Sequence, residues 1–203
     1  MSFNFSHPYQ INESYQKRVA YICMEYGIHQ PLKTYAGGLG FLSGSHMRSA
    51  YDLKQNMVGI GILWKYGYYD QLRKQDQNME VSFEEKKYGF LQETNIKFNI
   101  KVSKHDVCVT AYYLEPSLFE TIPLFLLSTD LQENDYLAKT ISHKLYDSNP
   151  ETRIAASILL GQGSAKLLEI INWNPDVYHL NESHPLPIAY YLYNKFKNLE
   201  EVR

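Results

Sequence analysis

Three groups of residues in this 203-residue chain have the types and spacing to bind or transform a ligand. The first is Gly37-Gly38-Leu39-Gly40, which precedes an apolar run of helical spacing. Glycines let the backbone come close to a ligand, and the unpaired N–H groups of a helix start attract an anion such as phosphate. A tight turn with close helix–strand packing would use the same residues. The pattern Gly38-x-Gly40-x-x-x-Gly44 misses the dinucleotide fingerprint by one residue, and no acidic strand end lies at the required distance beyond it. A nicotinamide cofactor is therefore not expected. The second group is Asn181-Glu182-Ser183-His184. His179, Glu182 and His184 invite a metal reading, but H-x-x-E-x-H matches no zinc spacing. His179 reads as a hydrogen-bonded core histidine, and His184, before Pro185, as the better ligand contact. The third group is tyrosine. There are 18, with clusters at Tyr66, Tyr68 and Tyr69, at Tyr112 and Tyr113, and at Tyr190, Tyr191 and Tyr193. Such rings stack on sugars while their hydroxyls stay wet, although each cluster alone also fits a core boundary. Gly161-Gln162-Gly163-Ser164-Ala165-Lys166 lacks the phosphate-loop spacing and reads as helix packing.

The elements that must carry these groups follow from apolar periodicity. Residues 19–24 form a short continuous apolar run, a strand buried on both faces. Residues 41–53 read as a helix with Leu42, Met47, Ala50 and Leu53 inward, and residues 57–63 as a second buried strand. Residues 96–102 alternate in polarity, turn at 103–106 and return over 107–114, an antiparallel hairpin. Residues 122–127 are another buried run. Asn149 caps a helix that starts at Pro150 and turns Ile154, Ile158, Ala165, Leu168 and Ile171 inward. A last strand over 176–180 and a helix over 186–197 follow. Helix and strand alternate at both ends, which predicts an α/β fold, a doubly wound Rossmann-like domain with an inserted antiparallel β-hairpin. The expected layout is an extension over 1–17 and a domain over 18–203 with a β insertion around 73–121. The glycine run, Ser128-Thr129-Asp130 and the His184 loop all fall at carboxyl ends of strands, where such sheets bind ligands.

Composition removes several classes. Twenty Lys and Arg against 22 Asp and Glu give a net charge of -2 with no block of one sign, which argues against nucleic acid. Cys23 and Cys108 sit in apolar runs and read as reduced core residues. The first 16 residues lack a signal-peptide layout, and the apolar stretch over 57–64 is far short of the ~20 residues a membrane span needs. A cytoplasmic protein without membrane contact is expected.

Taken in order, the segments resemble the α-glucan (glycogen/starch) phosphorylases, in their short bacterial and archaeal form. The resemblance rests on Glu25-Tyr26-Gly27, Tyr35-Ala36-Gly37-Gly38-Leu39-Gly40, Gly44-Ser45-His46 and Gly67-Tyr68-Tyr69-Asp70-Gln71. It continues through Pro123-Leu124-Phe125-Leu126-Leu127-Ser128-Thr129-Asp130 and Leu145-Tyr146 to Val177-Tyr178-His179-Leu180-Asn181-Glu182-x-His184. It implies the amino-terminal half of a two-domain glycosyltransferase fold that cleaves α-1,4-glucan with phosphate to give glucose 1-phosphate. It implies pyridoxal phosphate as cofactor, with the cofactor lysine in the family's other half. By the same resemblance Gly37, Gly38 and Leu39 face the substrate phosphate, with Asn149 also on the substrate. His184 meets the glucosyl unit, Tyr21 contacts the cofactor, and the loop after Leu145-Tyr146 shapes the cleft. The chain departs from the family at Ser45 (usually Asp), at Ser183 (usually Gly) and at Asp147-Ser148-Asn149 (usually Gly-Gly-Asp). The expectation is an amino-terminal domain that is inactive alone or half of a split enzyme, with a separate carboxyl-terminal chain or a homo-oligomer as its partnership. A non-catalytic glucan-binding or regulatory module using the tyrosines is the alternative from another class.

Overall fold

The computed structural model describes residues 3–197. In chain order the first half holds β1 (Val19–Ile22), α1 (Gly38–Asp52), β2 (Met57–Ile62), β3 (Asp70–Arg73) and β4 (Met79–Ser82). The second holds β5 (Gln92–Val102), β6 (His105–Leu114), β7 (Leu124–Ser128), α2 (Tyr136–Thr140), α3 (Pro150–Ile170), β8 (Val177–Leu180) and α4 (Pro187–Phe196). Six strands form one mixed sheet in the order β5-β6-β7-β2-β1-β8. The pairs β7–β2, β2–β1 and β1–β8 are parallel, while β6 runs antiparallel to β7 and β5 to β6. The β5–β6 pair thus extends the main sheet. β3 and β4 make a separate two-stranded ribbon, largely exposed, in a segment whose charged composition gave no strand signal.

Helices cover both faces because the central strands are apolar on both. Tyr21, Cys23, Leu124 and Leu126 point to the α1 side with Met47 and Ala50. Ala20, Ile22, Val58, Ile60, Phe125 and Leu127 point to the α3 side with Leu159, Leu160 and Leu167. On β5, Ile96 and Ile100 are buried and Phe98 and Val102 half-buried, while Lys97, Asn99 and Lys101 are exposed, the alternation of a one-sided strand. The first residues are part of this packing: Phe3 and Phe5 meet Phe125 edge-on at 5.9 and 5.3 Å.

The helices differ from the apolar pattern in which residues they bury. α1 begins at Gly38, three residues earlier than its apolar run, so Gly38 and Gly40 lie inside its first turn. Its inward face is Gly40, Ser43, Gly44, Met47 and Ala50, whereas Leu42 and Leu53 are exposed. α3 starts as expected, with Asn149 as cap and Pro150 first. Its buried residues include Ala155, Ala156, Leu159, Gly163 and Ser164, and Ile154 is 63% exposed. Small residues bring these helices close: a Cβ on Gly44 would lie 2.2 Å from the Gly27 carbonyl oxygen. β8 is an edge strand, and His179 on it is exposed, its ring tilted 44° against that of Tyr21 at 4.7 Å and without a hydrogen bond among the described residues, rather than a hydrogen-bonded core histidine. Cys23 is buried as expected, but Cys108 is only half-buried; both are free. No described helix is long and apolar enough to cross a membrane.

Candidate ligand cleft at the carboxyl edge of the sheet

β1 and β2 end side by side, and the chain beyond them opens a cleft of about 330 Å³. Met24 and Trp64, just past the two strands, are buried at its base, and Tyr146, Thr152, Arg153 and His184 line it with them. His184 is half-buried, and its Nδ1 is buried with no hydrogen-bond partner among the described residues. Burial lowers its pKa below 6.5, and the carboxylates of Glu182 and Glu25 only partly counter this. The imidazole is therefore neutral near pH 7, with one nitrogen to donate and one to accept, as a sugar hydroxyl requires. Arg153, in the first turn of α3, forms no ion pair among the described residues.

The glycine run is joined to this cleft by a residue with no role assigned from sequence, Glu25. It is 2% exposed; its Oε2 accepts the N–H groups of Ala36 at 2.7 Å and Gly37 at 3.1 Å, and its Oε1 accepts the Tyr146 hydroxyl. Tyr146, held at φ +57°, places its ring 5.8 Å from that of His184. Burial first, and then the Glu25 carboxylate, push the Tyr146 phenol pKa up, so it remains a donor. An acid directly after a buried apolar strand is the signal that sequence offered for Glu25, because an ionised side chain there needs partners.

The expected site residues separate into two sets. His184 lines the cleft. Gly38 and Leu39, at the first positions of α1, keep N–H groups with no acceptor among the described residues, and a Cβ on Gly38 would meet nothing within 4 Å. These two amides fit an anion. Gly37 does not present a free amide, because Glu25 takes it. Asn149 does not line the cleft; its Oδ1 accepts the N–H groups of Glu151 and Thr152 as a helix cap. Tyr21 is 2% exposed on the α1 side of β1, its hydroxyl accepting from Asn181 Nδ2 at 2.6 Å. That enclosure does not fit a contact with pyridoxal phosphate. Among the described residues no group of three or more His, Cys, Asp or Glu is placed to hold a metal ion.

The class defined by this fold is an α/β domain with a cleft at the carboxyl edge of its parallel strands, lined by His184, and a helix start with two free amides joined to that cleft through Glu25 and Tyr146. No family model matches the chain. Among known proteins it is 48% identical over 180 residues to an uncharacterized protein of Methanocaldococcus jannaschii, covering 89% of this chain and 34% of that one. It is 37% identical over 177 residues to the maltodextrin phosphorylase of Thermococcus litoralis (84% and 21% of the two chains). It is 30% identical over 181 residues to the glycogen phosphorylase of Aquifex aeolicus (85% and 26%). The chain is thus a homologue of the maltodextrin and glycogen phosphorylases, consistent with an amino-terminal domain of that family. It spans between 21% and 34% of the length of these relatives.

Proposed function

We propose that this chain is the Rossmann-like, glucan-facing wall of an α-glucan phosphorylase active site, with the opposite wall supplied by a second domain or a partner chain. The supporting observation is the Glu25 bridge, which ties the start of α1 to Tyr146, whose ring lies 5.8 Å from that of His184. In the reaction so assigned, the bond from glucosyl C1 to the chain oxygen breaks and a bond from C1 to a phosphate oxygen forms. The phosphate's proton ends on the departing hydroxyl. The Gly38 and Leu39 amides and the Arg153 guanidinium meet the phosphate charge, a task suited to a helix start and an unpaired arginine. His184 orients the glucosyl hydroxyls, while Trp64 and Met24 keep water from one side. Pyridoxal phosphate belongs to this activity in the phosphorylases; no step here is assigned to it, because Tyr21 does not fit it. The setting is cytoplasmic.

One observation favours a second reading, a glucan-binding module without phosphorolysis. The Glu25 carboxylate sits at the amides next to Gly38 and reduces the positive potential that an incoming phosphate would meet. Amide and imidazole NMR spectra of the chain, titrated with maltoheptaose and then with inorganic phosphate, separate the two. The phosphorylase wall predicts shifts at His184 with the glucan and at Gly38 and Leu39 with phosphate. Shifts at His184 without any at the two amides support the module, and no shift at His184 ends both.

A further inference from the structure

We propose that a second cleft, built from the tyrosine loop, is a stacking subsite for the glucan chain as it leaves the His184 cleft. The proposal rests on the phosphorylase reading and adds to it where the chain runs.

This second cleft, of about 360 Å³, is lined by Tyr35, Tyr66, Tyr68 and Tyr69, with Ala36 of the glycine segment and Gln71. Tyr68 and Tyr69 are 37% and 36% exposed, their rings 4.3 Å apart and tilted by 45°. Tyr68 meets Tyr146 edge-on at 6.3 Å, and Tyr146 meets His184 at 5.8 Å. Aromatic rings therefore run unbroken from the histidine to the second cleft. The other tyrosine clusters lack this setting: Tyr113 is 5% exposed in the sheet, and Tyr190 and Tyr193 lie exposed on α4 outside both clefts.

The platform is also held in place. The N–H groups of Lys65 and Tyr66 donate to the carbonyls of Ser142 and His143 at 3.0 and 2.9 Å, and that of Leu145 to the Gly67 carbonyl at 2.9 Å. Gly67 has φ +67°, and a Cβ there would lie 2.9 Å from Lys33 Cβ, so the turn requires glycine. Rings fixed before a ligand arrives lose little freedom on binding. A half-exposed tyrosine offers an apolar face with a hydroxyl at its rim, which matches a pyranose with an apolar C–H face and hydroxyls at its edge. Asp70 and Lys86 pair with each other in the cleft's lining and, with Lys33, give it a polar rim.

The test is maltoheptaose binding by the full chain, read by calorimetry and by side-chain NMR signals. Shifts are expected at Tyr68 and Tyr69 as well as at His184. Tyr69→Ala should weaken binding about tenfold, while Tyr69→Phe, which keeps the ring, should bind as the parent does. If the glucan shifts His184 and Tyr146 but not Tyr68 or Tyr69, and Tyr69→Ala binds normally, the subsite is refuted and the phosphorylase reading stands. If the tyrosines shift and His184 does not, the glucan does not run from the His184 cleft, and the subsite as its continuation falls together with the catalytic reading.

Discussion

Glu25, which is buried, and His184, half-buried with a buried Nδ1, have opposite accounts. Three donors converge on the Glu25 carboxylate, and removing a buried acceptor costs the desolvation of every group left unpaired. Glu25→Ala should therefore lower the unfolding free energy by about 2–4 kcal/mol in urea melts, and Glu25→Gln, which keeps one acceptor oxygen, by less. An Ala variant as stable as the parent would contradict the bridge. His184 already has an unpaired buried nitrogen, so an apolar side chain of similar size removes a cost that the fold now bears. His184→Leu should be within about 1 kcal/mol of the parent, or more stable, while losing maltoheptaose affinity. That combination marks a residue kept for a ligand; a loss of several kcal/mol in urea would mark it as structural.

Among the elements, α1 shows how the glycines divide. A methyl group on Gly44 would lie 2.2 Å from the Gly27 carbonyl oxygen, whereas one on Gly38 would meet open space. Gly44→Ala should destabilise by about 1–3 kcal/mol through forced separation of the helix from the β1 loop. Gly38→Ala should be neutral or stabilise by up to about 1 kcal/mol, since alanine is the better helix former. Thermal melts of the two variants moving in the same direction would contradict this placement. The same small residues explain what was legible in sequence. Continuous apolar runs gave β1, β2 and β7, strict alternation gave β5, and Asn149-Pro150 gave the start of α3. Met47 and Ala50 of α1 and Ala165, Leu168 and Ile171 of α3 face inward as the apolar spacing predicts. Leu42, Leu53 and Ile154 do not, because glycine, serine and alanine carry the closest contacts there and apolar periodicity does not register them. Of the site residues expected from sequence, His184 lines the cleft, and Gly38 and Leu39 begin α1 with amides that have no acceptor among the described residues. Gly37 and Asn149 are spent on local hydrogen bonds, and the Glu25 bridge joins segments far apart in sequence that no spacing rule connects.

At the level of the whole molecule, burial lowers the pKa of His7, His46, His143 and His184 alike. The folded chain resists protonating them, so below the unfolded value of 6.5 the unfolded chain binds more protons and gains on the folded one. Stability should be full above that value and fall as pH drops below it. Burial pushes the Asp130 carboxyl up, but Lys65 and His143 outweigh it and hold the pKa below 3.8, which adds a further loss at more acid pH. The midpoint of thermal unfolding should be lower at about pH 5.5 than at about pH 7.5; an equal or higher midpoint in acid contradicts the histidine environments.

The central claim is that this domain serves as a working wall of a phosphorylase site, and exchange into a relative tests it most directly. The 177 matching residues of the Thermococcus litoralis maltodextrin phosphorylase would be replaced by those of this chain, and glucose 1-phosphate release from maltoheptaose and phosphate measured. The account predicts release that depends on His184 and falls at least about a hundredfold in His184→Ala, the scale of lost transition-state hydrogen bonding. A folded chimera that binds maltoheptaose but releases no glucose 1-phosphate would contradict it.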